Sequence, residues 1–317
     1  MKTLPQNIVE HLREQSVNQL FRIGTVQNCW PVWKPELISH LPAITARNIL
    51  DLGDHLKSVF FSTAVDGRGQ GDLSAGGAGW EALICWYMNL CLLESRTVVI
   101  KYNKNLIPLP VKEAITVKYG TIPTTTESDL VAITFPDKPE YTTMDKFNIV
   151  IQDNNGQVIS TSNKNGKFQY NLIIDALVER DFNECEIGVI QCKTNWNDNA
   201  QIPMLWDMIY SSLGFSRHLI SVGTSAFSIR NVQKFSYSFV TVPTVKKEFK
   251  HDSIAVQRVH HLSGGNYWGQ PSVPAVASSI KEIFGRNFGS GSPKGLVPTL
   301  NGAIPNLGTT YSYFNLI

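Results

Sequence analysis

Residues 186–197 read Glu-Ile-Gly-Val-Ile-Gln-Cys-Lys-Thr-Asn-Trp-Asn, a short apolar run that ends in polar residues. This pattern predicts a β-strand that leaves a buried sheet at its polar end. Because side chains alternate faces along a strand, Gln191 and Lys193 are expected on the same face. Two interpretations are open. Either both side chains emerge into water, or Gln191 offers an oxygen to a hard cation and Lys193 a charge to a phosphate or an attacking water.

The composition is that of an ordinary folded protein. The 317 residues are 43% hydrophobic and 17% charged, and the formal net charge is +2. The chain is long enough for one large domain or two smaller ones. Because the net charge is close to zero, a nucleic-acid partner would have to bind in a local basic cleft. The five cysteines form no CxxC pair, and no apolar leader or membrane-length apolar run is present, which predicts a cytoplasmic protein with reduced thiols.

Several common site motifs are missing from the sequence. It contains no Gly-x-Ser-x-Gly elbow, no Walker motif and no dinucleotide-binding fingerprint. His251, His260 and His261 lack partners at zinc spacing. The glycine-rich stretch 66–79 has no strand before it and no Gly-Lys-Ser/Thr after it, so a mobile connector is favoured over a phosphate loop. Arg68 could still bring a positive charge near a phosphate.

Apolar periodicity predicts helices at residues 6–22 and 41–61, and the proline-rich stretch 29–35 is expected to break the helical pattern. The clearest helix covers residues 79–94, where apolar side chains surround most of the surface. Glu81 falls in the first turn of this predicted helix. The helix dipole alone would explain a carboxylate there, so the position does not by itself indicate function.

Two β segments follow this helix, and Asp129 then opens the apolar run Leu-Val-Ala-Ile. A carboxylate at the mouth of a buried strand is costly unless it has a partner. Residues 138–167 are polar and rich in turn signals, which indicates an insertion. A helix carrying Asp175 is favoured for residues 168–182, and a strand remains the alternative for that run.

In chain order, the elements that could carry chemistry are a buried helix with Glu81, two β segments, a strand opened by Asp129, and a strand ending in Gln191-Cys192-Lys193. This order resembles the PD-(D/E)xK nuclease superfamily, most closely its Type II restriction endonucleases, over residues 78–225. That family has a glutamate on a leading helix, an acidic residue on the second core strand and a (D/E)xK tripeptide on the third. In this chain the segment Glu127-Ser128-Asp129 corresponds to the acidic residue on the second core strand. The tripeptide on the third strand corresponds to Gln191-Cys192-Lys193. Gln191 stands where the family has an acid, which removes one negative charge from the metal site.

The resemblance implies an α/β fold with a restriction-endonuclease-like core, in which helices flank a central mixed β-sheet. It implies a Mg²⁺-dependent, site-specific endonuclease for double-stranded DNA that acts as a homodimer. A cognate DNA methyltransferase is expected genetically and not as a stable partner. The catalytic set would be Asp129, Gln191, Lys193 and Glu81; Asp129, Gln191 and Glu81 would hold Mg²⁺, and Lys193 would orient or deprotonate the attacking water. If the insertion is misinterpreted, Asp175 becomes the metal-binding aspartate.

The same interpretation divides the chain into an N-terminal helical region (1–77), a nuclease core with an insertion near 138–167 and C-terminal DNA-contacting elements (78–285), and a loosely packed tail (286–317). Polar loops would read base edges in a groove. The candidates are Asn195, Asn197, Asn199, Gln201, Arg258, His260, Asn266 and Gln270. Two alternatives stay open: a DNA repair or modification-dependent nuclease on the same core, and a DNA-binding protein whose catalytic site has decayed.

Overall fold

The computed structural model describes residues 6–63, 70–101, 103–124, 128–152, 156–194, 220–242, 254, 257, 266–267 and 279–317. At residues 70–75, 124, 266 and 267 the description covers the backbone alone. Within these ranges the chain is a mixed α/β structure in which helices flank a central mixed sheet. This confirms the predicted fold class at that level.

The helices are α1 (Ile8–Leu20), α2 (Gly24–Ser39), α3 (Ala46–Asp51), α4 (Leu56–Phe61), α5 (Gln70–Cys91), α6 (Leu109–Ala114), α7 (Pro139–Thr142), α8 (Tyr170–Arg180), α9 (Lys281–Asn287) and α10 (Leu296–Ala303). The strands are β1 (Thr97–Lys101), β2 (Val117–Tyr119), β3 (Ile122–Thr124), β4 (Leu130–Thr134), β5 (Ile151–Gln152), β6 (Val158–Ile159), β7 (Glu186–Lys193), β8 (Ile220–Val222), β9 (Lys234–Thr241) and β10 (Asn266–Tyr267).

The central sheet has five strands in the order β1-β4-β7-β9-β10. Strand β4 runs antiparallel to both β1 and β7, whereas β9 runs parallel to β7 and β10 runs parallel to β9. The predicted Gln-Cys-Lys strand is therefore the middle strand, and all of it except Lys193 is buried. Because β4 starts where β7 ends, the residue before β4 and the polar end of β7 lie at the same edge of the sheet.

Two apolar layers cover the two faces of this sheet. The leucines of α5, such as Leu83 and Leu90, pack with Ile190 on one face, and each fully buried leucine contributes about 1.5–3 kcal/mol. Helices α1 and α8 pack with Val189 on the other face. The indole N–H of Trp80 donates to the carbonyl of Val240 at 3.0 Å. This bond fixes α5, and with it the neighbouring Glu81, against the sheet.

Two predictions for the first 80 residues are wrong, namely the helix break at 29–35 and the connector at 66–79. Helix α2 continues through the stretch 29–35, because its two prolines lie on the exposed side while Trp33 and Leu37, one turn apart, are buried. Helix α5 begins at Gln70, inside the glycine-rich stretch that was predicted to be a connector. Consequently Glu81 lies well inside a helix of 22 residues and not in its first turn, so the helix dipole does not explain it.

The predicted loose packing of residues 286–317 is also wrong. Leu300, Ala303 and Leu307 follow a helical spacing and are buried, and Phe314 is buried beyond them. The indole N–H of Trp86 donates to the Phe314 carbonyl at 3.0 Å. The glycines, serines and prolines of this segment hide an apolar pattern that packs against α5. The five cysteines of the chain, all in described ranges, are free thiols.

The insertion near 138–167 forms a small sheet of its own from β5 and β6, apart from the central sheet. It also contains the short helix α7. Residues 170–180 form the helix α8, so the alternative of a strand carrying Asp175 is wrong. Asp175 is half-buried, and its Oδ1 accepts the backbone N–H of Leu109 at 2.7 Å.

A buried arginine ties α1 to β1, and its removal should destabilise the protein. Arg13 is fully buried, bonds the carboxylate of Glu10, and donates to the carbonyls of Ser95 and Thr97, each at 2.8 Å. We expect Arg13→Met to lower the free energy of unfolding by about 3–5 kcal/mol, because Glu10 is left as an uncompensated buried charge. Urea denaturation measures this.

The control for that measurement is Arg22→Met, since Arg22 is exposed between α1 and α2. This variant should change the free energy of unfolding by no more than about 0.5 kcal/mol. A loss below about 1 kcal/mol for Arg13→Met would show that the network around Arg13 contributes little to stability.

Candidate active site

Asp129 and Lys193 meet at the edge of the sheet where β4 begins and β7 ends. Asp129 Oδ2 lies 3.4 Å from Lys193 Nζ and accepts the backbone N–H of Cys192 at 2.8 Å. The last paired residues of the two strands are Leu130 and Ile190, so Asp129 lies opposite Gln191 in the extended register. The carboxylate thus takes the place of the next acceptor in the ladder, and this bond holds it beside the lysine.

Gln191 is fully buried, and its side chain is unsatisfied. Neither the amide oxygen nor the amide nitrogen has a hydrogen-bond partner among the described residues. A buried amide without partners costs about 1–3 kcal/mol, so such a group calls for an explanation. The alternation of side chains places it on the same face of β7 as Lys193. Gln191 therefore lies next to the Asp129–Lys193 pair, and its amide oxygen has no hydrogen-bond partner among the described residues.

A second ion pair lies beside the first. Glu81 of α5 bonds the ammonium of Lys101, the last residue of β1, and both side chains are about four-fifths buried. The sequence analysis identified Glu81 and missed Lys101. A signal was present, because Lys101 ends the apolar run Thr-Val-Val-Ile in the same way that Lys193 ends β7. Lys101 and Lys193 therefore each end a buried strand of the central sheet.

The two ion pairs influence each other. Burial raises the pKa of Glu81; contact with Lys101 works against that shift, and the nearby Asp129 charge adds to it. Burial likewise raises the pKa of Asp129, opposed by Lys193 and by the Cys192 N–H. In both carboxyl groups the ionised form is therefore disfavoured despite the neighbouring lysines. A cation placed between these carboxylates would stabilise their ionised forms.

Two side chains at this edge, those of Asp129 and Gln191, carry oxygen atoms of the type that Mg²⁺ binds. In the part of the chain that the structure describes, no group of three or more His, Cys, Asp and Glu residues could hold a metal. Mg²⁺, however, is commonly bound through only one or two carboxylates, with waters and substrate phosphates completing its shell. Asp129 supplies one carboxylate, and the unpartnered oxygen of Gln191 supplies a second ligand. Glu81 is bound to Lys101 and could join only if that pair opened.

Asp175, the alternative metal ligand, does not lie at this edge. Asp175 bonds the first backbone N–H of α6, and the charges that affect its pKa are Lys112 and Glu179, neither of which belongs to the two ion pairs. The DNA-reading candidates lie outside the described residues, except that the backbone of Asn266 forms part of β10. Glu127 lies outside them as well.

The chain matches no protein-family model, and no curated protein matches it. Within the described ranges, none of the helices has the length and apolar character needed to cross a membrane. An assignment of function therefore depends on the geometry around Asp129 and Lys193.

Proposed function

We propose that this protein is a Type II restriction endonuclease, which hydrolyses phosphodiester bonds in double-stranded DNA at a specific sequence and requires Mg²⁺. The observation that carries the proposal is the 3.4 Å contact between Asp129 and Lys193 at the paired ends of β4 and β7, with Gln191 beside them. The order of elements supports it: helix α5, the antiparallel strands β1, β4 and β7, then β9 parallel to β7. This is the order expected of a restriction-endonuclease-like core.

In the proposed reaction, Asp129 and Gln191 would hold Mg²⁺, and Glu81 would join them only if its ion pair with Lys101 opened. The ion would neutralise the charge that builds on the scissile phosphate and favour ionisation of a nearby water. Lys193, whose Nζ lies 3.4 Å from Asp129, would orient the attacking water or help to deprotonate it, and its positive charge would stabilise the negative charge on the phosphate. Lys101 provides a second ammonium group at the same edge.

The proposal includes a cytoplasmic homodimer, because one two-fold symmetric protein can cut both strands of a two-fold symmetric site. It also includes a cognate DNA methyltransferase encoded alongside, since host DNA with the same sequence must be protected. Base reading is assigned to the polar residues between 195 and 201 and between 258 and 270. With a net charge of +2, contacts to DNA must be concentrated in a local basic cleft.

One observation favours a second candidate, a DNA-binding protein that has lost catalysis. Among the described residues of this edge, the two carboxylates are balanced by two lysines, and Gln191 is neutral. Such a cluster carries no excess negative charge to attract a divalent cation. Under this alternative the protein would bind DNA without cutting it.

Incubation of the purified protein with unmodified phage DNA, in Mg²⁺ or in EDTA, tests the proposal on a gel. Discrete fragments that need Mg²⁺ support a restriction enzyme, whereas a smear supports a non-specific nuclease. Cutting of methylated DNA alone would support a modification-dependent enzyme. A mobility shift in Ca²⁺ without any cutting would favour the DNA-binding alternative.

Gln191→Glu gives a readout of the metal site that does not depend on cleavage. Without metal, we expect the variant to lose about 1–3 kcal/mol of unfolding free energy, because a carboxylate replaces a buried neutral amide beside Asp129. Mg²⁺ should restore this loss, since the new carboxylate is an anionic ligand, and cleavage should persist with an altered preference among divalent metals. Thermal unfolding against Mg²⁺ concentration, with cleavage rates in Mg²⁺ and Mn²⁺, measures both effects.

The matched control is Gln27→Glu, which places the same change on the exposed surface of α2. It should show no response to Mg²⁺. A Gln191→Glu protein that folds normally, gains no stability from Mg²⁺ and cuts no DNA would remove Gln191 from the metal site.

A further inference from the structure

A polar cavity lies at the opposite edge of the central sheet, where β1 and β7 begin and β4 ends. Its volume is about 180 Å³, and three carboxylates line it, those of Asp137, Glu184 and Glu186, together with the guanidinium of Arg96. The proposed nuclease reaction uses the other ends of these strands. The chemistry of this cavity is therefore independent of the Asp129–Lys193 site.

Glu186, the first residue of β7, is the unusual member of this cavity. It is only 8% exposed, and its Oε2 is buried without a hydrogen-bond partner among the residues described. The residue opposite it in β9 is Lys234, whose ammonium donates instead to the Arg286 carbonyl at 2.8 Å. On the β4 side it faces Thr134, whose hydroxyl is paired with that of Thr97 at 2.7 Å. A buried carboxylate without a cation is strongly unfavourable.

The remaining charges at the cavity already have partners. Arg96 donates to the carbonyls of Phe135 and Ser290, and its Nε lies 3.7 Å from Asp137 Oδ1. Glu184 accepts the ammonium of Lys138 at 2.6 Å. Glu186 therefore lines the cavity as a carboxylate that has no ion-pair partner among the described residues.

We propose that this cavity binds a guanidinium group, with Glu186 as its anchor. A guanidinium is planar, cannot lose its charge, and forms paired N–H bonds to a carboxylate while its other N–H groups reach further acceptors. The cavity exceeds by several fold the roughly 30 Å³ share of one water molecule, so it has room for this group.

Titration of the full-length protein with methylguanidinium at constant ionic strength, followed by calorimetry and thermal unfolding, tests the proposal. The wild-type protein should bind and show a higher melting temperature, and Glu186→Gln should weaken the affinity by about tenfold or more, the effect of one lost charge-assisted bond. Glu184→Gln is the matched control. Its carboxylate lines the same cavity but is paired with Lys138, so the affinity should change by less than about twofold.

Two further probes define the ligand chemistry. Tetramethylammonium has the same charge without N–H donors and should not bind. A short arginine-containing peptide that binds more tightly than methylguanidinium would identify the source as a protein side chain, and weaker binding would identify a free small molecule. Both outcomes support the guanidinium site.

Three results would overturn the proposal: no binding of methylguanidinium to the wild-type protein, equal affinity of the wild type and Glu186→Gln, or equal binding of tetramethylammonium. If Glu186→Gln fails to fold, the selectivity of the wild type for methylguanidinium over tetramethylammonium still tests the proposal. Because these measurements use no DNA, their outcome is separate from that of the nuclease proposal.

Discussion

Replacement of Lys193 by alanine is expected to lower the rate of DNA cleavage by about 10²–10⁴-fold, the range typical of a lost catalytic proton-transfer group. DNA binding should stay within a few-fold of the parent. The reason is geometric: Lys193 Nζ lies 3.4 Å from Asp129, and its side chain is about one-quarter exposed, so it can reach a water or a phosphate. Single-turnover cleavage rates in Mg²⁺ and mobility shifts in Ca²⁺ measure the two effects separately.

Lys281→Ala is the control for this substitution. Like Lys193, Lys281 forms ion pairs, with Asp51 at 2.9 Å and with Asp54 at 2.8 Å. It belongs to α9 and not to the Asp129 edge. Its loss should leave cleavage unchanged. If Lys193→Ala cut DNA within a few-fold of the parent rate, Lys193 would have no role in the reaction.

The comparison of Asp129→Asn with Asp175→Asn should give the sharpest contrast. Asparagine keeps the shape and can still accept the Cys192 N–H, but it removes the charge that binds a cation. We expect Asp129→Asn to cut no DNA at any Mg²⁺ concentration. Asp175→Asn should cut normally and lose less than about 1 kcal/mol of stability, because its side-chain oxygen still accepts the Leu109 N–H. Cleavage rates over a wide range of Mg²⁺ make the comparison.

The reverse outcome has a clear meaning. If Asp175→Asn were inactive and Asp129→Asn active, the carboxylate needed for cleavage would lie on α8, and the edge formed by β4 and β7 would not be the active site. Thermal unfolding of both variants checks that neither result reflects loss of the fold.

The sequence predicted the Asp129 edge because its signals are local. Asp129 precedes one apolar run, and Lys193 ends another. The resemblance to the PD-(D/E)xK superfamily implied that the two residues share a site, and the antiparallel pairing of β4 with β7 places the start of one strand beside the end of the other. The pairing of Lys101 with Glu81 was not predicted, because it depends on how a helix of 22 residues lies across the sheet.

Other features could not be read from local patterns. The start of α5 at Gln70 runs against the low helix propensity of glycine, so the local pattern predicted no helix there. The burial of Glu186 is created by chain segments far away in the sequence, including Ser290. No periodicity within residues 186–193 indicates it.

The assignment of Asp129 and Lys193 to a nuclease active site is tested by digestion of unmodified phage DNA. The wild-type protein and Asp129→Asn are purified in parallel and compared. We expect discrete fragments from the wild type in Mg²⁺, none in EDTA, and none from Asp129→Asn under either condition. The parallel preparation separates the protein's own activity from a contaminating nuclease. Equal cutting by the two proteins, or no cutting of any DNA by a correctly folded wild type, would contradict the assignment of Asp129 and Lys193 to a nuclease active site.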